Sequence, residues 1–207
     1  MASRLGIYQS ALMKIGSPRL LDLSENVASR KTIDAVYADC VEFCLELGTW
    51  DWGTRTVSLY SSTDIDPIFG YEHAIEKPGD IKKVVAISSE PTLTDPLQNH
   101  TEDAQCWYTF CSPLYVSYVS NDPAYGLNIG AWTEAFADLV AIRIAIVTCE
   151  TITQSTAKLD ELKRDFRTAK SNAIGINNFD DAPKRFPEGR FTQARRGGYR
   201  SSRVGRY

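Results

Sequence analysis

The chain has 207 residues, 43% hydrophobic and 24% charged, which is ordinary for a soluble globular protein with one sizeable core. Its net charge of −3 hides a division: residues 184–207 hold eight basic side chains and one acidic, whereas residues 1–183 hold 15 basic and 25 acidic. An acidic body excludes the basic face that a sequence-reading DNA-binding domain needs, and leaves a basic arm to be explained.

Leu5, Tyr8, Leu12 and Ile15 recur at helical spacing, so the first element is a helix over 5–15, stopped by Gly16-Ser17-Pro18. A second helix over 24–47 is predicted, with Ser24 as cap and Glu25 in its first turn. Its apolar line is Ile33, Val36, Tyr37, Cys40, Val41, Cys44 and Leu47. From Trp50 the period changes. Arg55-Thr56-Val57-Ser58-Leu59-Tyr60 alternates as a strand does, and residues 61–69 read as a loop. Strands are further predicted over 71–76 and, after the turn Pro78-Gly79-Asp80, over 81–87. Residues 88–104 read as a polar loop, followed by strands over 106–111 and 114–119.

Helical periodicity returns over 131–150. Trp132, Phe136, Leu139, Ile142, Ile146 and Cys149 make one face, and Val140, Ile144 and Val147 make the back apolar too, as in a central core helix. The last helix is expected over 155–174, with Leu159, Leu162, Phe166, Ala169 and Ala173 as a narrow seam and Asp160–Arg164 as an exposed pair. After Gly175 the pattern dissolves. The fold class is therefore α+β: about four helices in a bundle, one small antiparallel sheet inserted over 54–119 between helices 2 and 3, and an extended basic arm over 176–207.

Ile7-Tyr8, Ala11-Leu12 and Ile15-Gly16 resemble the opening helix and glycine stop of the head-to-tail adaptor family (tail tubular protein A, or connector) of short-tailed phages. Thr49-Trp50-Asp51-Trp52-Gly53 is similar to that family's Pro-Trp-Asn-Phe-Ala-like motif, with the first tryptophan kept and its neighbours altered. Residues 71–80 resemble its Tyr-rich strand and Pro-x-Asp turn, with Lys77 where an apolar residue is usual. Leu114-Tyr115-Val116-Ser117-Tyr118 and the helix from Trp132 look like its C-terminal half. The likeness spans residues 5–175 and rests on spacing more than on invariant chemistry. It implies a structural virion protein of the neck, assembled in the host cytoplasm. The implied assembly is a homo-oligomeric ring, a dodecamer, docked between portal and tail nozzle, with tail fibres as further partners. DNA would pass through its lumen without sequence-specific contact, and the acidic body, where it lines that lumen, would repel DNA from the wall.

The chemistry-bearing residues are read against that expectation. Cys40 with Cys44 and Cys106 with Cys111 lack close Cys-x-x-Cys spacing, so they read as buried hydrophobes rather than zinc ligands. Five cysteines with no secretory signal at Met1-Ala2-Ser3-Arg4 suit reduced thiols, and residues 135–148, interrupted by Asp138 and Arg143, are too short to span a bilayer. His73 and His100 have no partner motif for a triad. Glu42 and Glu46 would serve glycoside chemistry as a pair, but their place opposite the apolar line of helix 2 suits a solvated or inter-subunit face better. No phosphate or dinucleotide loop and no zinc-protease helix occurs, so neither enzyme activity, cofactor nor small-molecule substrate is expected. Trp50, Trp52 and Trp132 read as core anchors, or as residues of a subunit seam. In the arm, Arg185, Arg190, Arg195, Arg196, Tyr199, Arg200, Arg203, Arg206 and Tyr207 are the candidates for contact with the portal or a neighbouring subunit. Two other readings stay open: a tail-associated peptidoglycan hydrolase, and a nucleic-acid-binding protein acting through this arginine-rich arm.

Overall fold

A computed structural model describes residues 2–68 and 70–180. Helix α1 (Arg4–Ile15) begins where the Ser3 hydroxyl accepts the Gly6 N–H and ends at Gly16, whose left-handed backbone (φ 85°) returns its N–H to Leu12 and Met13. Ile7, Tyr8, Ala11, Leu12 and Ile15 form its buried face. Helix α2 (Ala28–Glu46) starts four residues later than the sequence predicts. The Ser24 hydroxyl is spent on Asp22, and the Glu25 carboxylate accepts the N–H groups of Leu21 and Asp22. Those local bonds hold residues 21–25 in a turn, and Val27 occupies the cap without a side-chain bond.

The insert contains six strands: β1 (Thr54–Leu59), β2 (His73–Glu76), β3 (Ile81–Ser88), β4 (His100–Glu102), β5 (Cys106–Thr109) and β6 (Leu114–Ser120). They form two three-stranded antiparallel sheets, ordered β1-β6-β3 and β2-β5-β4, where the sequence predicted one. The second sheet exists because β4, inside the expected polar loop, pairs with β5 and completes it. β6 is the central strand of the first sheet. Ile75, Ile87, Trp107, Leu114, Val116 and Tyr118 give the insert a core of its own.

A short 3-10 turn over Ile129–Ala131 leads to α3 (Glu134–Thr153), capped by Thr133. Helix α3 packs against α1, α2 and α4, so its all-round apolar character is that of a central helix. Helix α4 (Thr156–Asp180) does not stop at Gly175. Buried Asn177 donates from its amide to the Thr49 carbonyl (2.7 Å) and accepts the Asp51 N–H (3.2 Å), and this tertiary anchor carries the helix past the glycine. Residues 176–180 therefore belong to the body and not to the arm. Leu162 and Ala173 are fully buried along the seam, with Leu159, Phe166 and Ala169 partly so. The expected Asp160–Arg164 ion pair is replaced: Arg164 donates to the Asp160 carbonyl, and the Asp160 carboxylate lies 3.9 Å from Lys163.

Candidate assembly surfaces

The three singled-out tryptophans converge. Trp50 and Trp52 stack at 6.2 Å, Trp52 and Trp132 lie 6.1 Å apart, and all three rings gather about Phe136 of α3 at 4.7–5.0 Å. Trp50 is held by the carbonyls of Cys44 and Leu45, and Trp132 by that of Gly126, so both are anchored core residues. Trp52 is half-buried, and its indole N–H meets no acceptor among the described residues. This cluster sits where the bundle hands over to the insert.

Two carboxylates work near that junction, Asp80 within the insert and Glu42 across to it. Asp80 accepts hydrogen bonds from the Ser120 hydroxyl (2.6 Å), the Tyr118 phenol (3.0 Å) and Arg55 (3.0 Å). Burial pushes its pKa up, but those three donors outweigh burial and hold the carboxyl below its ordinary range. On the other partner, burial and then the bond to Asp80 push the Tyr118 phenol up to about 12. Glu42 is not half of an acid–base pair. It accepts from Lys82 of β3 at 2.6 Å and from the Asn121 amide at 3.3 Å, which ties α2 to the insert, while Glu46 stays exposed. The Lys82 hydrogen bond keeps the Glu42 carboxyl below its usual value.

On the outside of the bundle lies a strip that the apolar line of α2 did not include. Phe43 is 36% exposed, and the Arg143 guanidinium of α3 lies 4.0 Å from its ring. Phe166 of α4 meets Phe43 at 6.3 Å, and Val147, one turn beyond Arg143, is 40% exposed. Three helices thus leave partly exposed apolar side chains around the Arg143 guanidinium. Sequence periodicity missed Phe43 because it lies at the edge of the face that buries Cys40 and Cys44.

The remaining candidates are dispersed. All five cysteines are free thiols, four of them buried. Burial pushes Cys40 up to about 11 and Cys44 higher still. His73 and His100 lie on opposite sides of β5, each directly across from Thr109, and so share one face of the second sheet. No group of three or more His, Cys, Asp or Glu among the described residues is placed to hold a metal. No described helix is long and apolar enough to cross a membrane. The arm candidates Arg185, Arg190, Arg195, Arg196, Tyr199, Arg200, Arg203, Arg206 and Tyr207 lie outside the described residues. Compared with protein-family models and with curated proteins, the chain matches none.

Proposed function

We propose that the chain is a structural subunit of the ring that joins the portal to the tail nozzle in a short-tailed phage, a virion protein rather than an enzyme. The supporting observation is the Phe43–Arg143–Val147–Phe166 strip. Partly exposed apolar side chains gathered on three helices are suited to cover by a neighbouring copy, and an arginine over an exposed ring suits an anchor of such an interface. The resemblance of residues 5–175 to the adaptor family supplies the kind of assembly. From Val84 to Ile142 no lysine or arginine occurs, and seven carboxylates do, which suits a channel wall that lets DNA slide. In this reading the arginine arm completes the contact with the portal or the next subunit.

Phe43→Asp tests the proposal, because an aspartate at 43 gives Arg143 an ionic partner and leaves the inner face of α2 untouched. Electron microscopy of the protein with the portal from its own virion is expected to show rings for the native chain and none for the variant. Native protein that stays single on the portal, or a variant that forms rings equally well, overturns the proposal. A cleared zone in a peptidoglycan zymogram, tested on the same preparation, would favour the hydrolase reading instead.

A further inference from the structure

The two outer strands of the first sheet are unequally defended. β3 carries register shifts at Ile81/Lys83 and Val84/Ala86, bears Lys82 and Lys83, and is tied to α2 by the Lys82–Glu42 ion pair. Irregular pairing and lysines blunt an edge against further pairing. β1 has neither device. Thr54–Leu59 runs in unbroken register against Val119–Leu114 of β6, with Arg55 as its one charge and no proline or glycine. Among the described residues, no backbone group of 55–59 is hydrogen-bonded outside that pairing. An unpaired, regular edge is a template for an extended segment.

We propose that residues 190–196 of the same chain add to the outer edge of β1 as a further strand. The place where the described chain ends supports this. Asn177 is bonded to Thr49 and Asp51, so α4 finishes beside the residues that lead directly into β1 at Thr54. Residues 181–189 then intervene, and nine extended residues reach about 30 Å. β1, with six residues, is about 20 Å long, so either of its ends is within range. Arg190-Phe191-Thr192-Gln193-Ala194-Arg195-Arg196 is the longest run without glycine or proline in residues 184–207, bounded by Gly189 and Gly197. Its length matches the strand it would cover.

Charge and space agree. A groove of about 460 Å³ opens beside the end of β1, between Leu59, Tyr60, Ser62 and the 76–79 turn. Glu76 on its wall is exposed and in no ion pair among the described residues, and Lys77 on the same wall is paired with Glu102, while the segment carries Arg190, Arg195 and Arg196. A covalent tether of nine residues sets a local concentration near the millimolar range, which favours the segment of the same chain over one from a second copy. Residues 197–207 would remain available for another partner, so the inference stands whether or not the chain belongs to a tail ring.

Hydrogen exchange on full-length protein tests it, read as the ratio of β1 exchange (residues 54–59) to α3 exchange so that any global change in stability cancels. Thr192→Pro with Gln193→Pro removes one N–H from each side of the segment, and Ser201→Pro is the control beyond it. The expected result is a β1/α3 ratio about tenfold higher in the double variant, with the control like the native chain and no dependence on protein concentration. An unchanged ratio in the double variant overturns the proposal. So does β1 protection that grows with concentration, which would assign the added strand to a second copy.

Discussion

Replacing Asp80 by alanine probes most directly what ties the strands of the first sheet together. The carboxylate is the acceptor for both the Tyr118 phenol and the Ser120 hydroxyl, and both residues are fully buried. Ser120 keeps a second bond, because its oxygen also accepts the Asp122 N–H, but no other acceptor takes the Tyr118 proton. A buried donor left without an acceptor costs about 1–3 kcal/mol, and loss of the charged partner of a second hydroxyl adds to that. Arg55 is about one-third exposed and is discounted for solvent screening. The expected loss is about 2–4 kcal/mol, a fall in Tm of roughly 5–12 °C for a chain of this size. Urea unfolding and calorimetry at pH 7 measure it. The pH dependence has a definite sign. A carboxyl held below its ordinary 3.8 contributes stability that is complete above that value and lost as pH falls through the lower folded one. The gap between native protein and Asp80→Ala should therefore close in acid. A variant within about 0.5 kcal/mol of the native chain at pH 7, or a gap that persists undiminished to strongly acid pH, would refute the assignment of Asp80 as the acceptor that ties β1 and β6 to the start of β3.

Phe136→Ala should cost about 3–5 kcal/mol in denaturant midpoint and shift the tryptophan emission, since Trp50, Trp52 and Trp132 all rest on that ring. Gly126→Ala should cost at least about 3 kcal/mol, because the added methyl would lie 2.0 Å from the Ser120 carbonyl oxygen, and a native-like urea midpoint would contradict that close approach. In native protein a thiol reagent should titrate Cys111 alone, and the four buried cysteines only after denaturant is added; rapid labelling of Cys40 or Cys44 would count against their burial.

The helices were legible wherever apolar periodicity alone decides structure. The core role of α3 follows from buried Phe136, Leu139, Ile142, Ile144 and Ala145, which are spread around it. Boundaries set by side-chain bonds were harder to read. Ser24 and Glu25 form a capping signature in sequence, yet both are consumed by Asp22 and its neighbours before the helix begins. The extension of α4 depends on Asn177 meeting residues some 126–128 positions away, which no local pattern encodes. The second sheet was hidden for a similar reason. His100-Thr101-Glu102 has a loop's composition and becomes a strand only through β5. Of the candidate surfaces, the tryptophan trio could be read as core anchors because bulky aromatics follow the helix stop and open the next helix. The Phe43 strip and the bare β1 edge arise from three-dimensional placement, and the sequence carries no periodic sign of either.

The insert leaves and rejoins the bundle at one place, since Thr54 stands directly opposite Val119. Facing residues of an antiparallel pair have their Cα atoms about 5 Å apart, a gap that two or three residues can close. The β module is therefore entered and left side by side, and Val119 in the helical core and the Glu42–Lys82 pair fasten it there. Changes of length at the far turns of the module leave those fastenings in place, whereas a short loop replacing the whole module would empty the place of Val119 in the helical core.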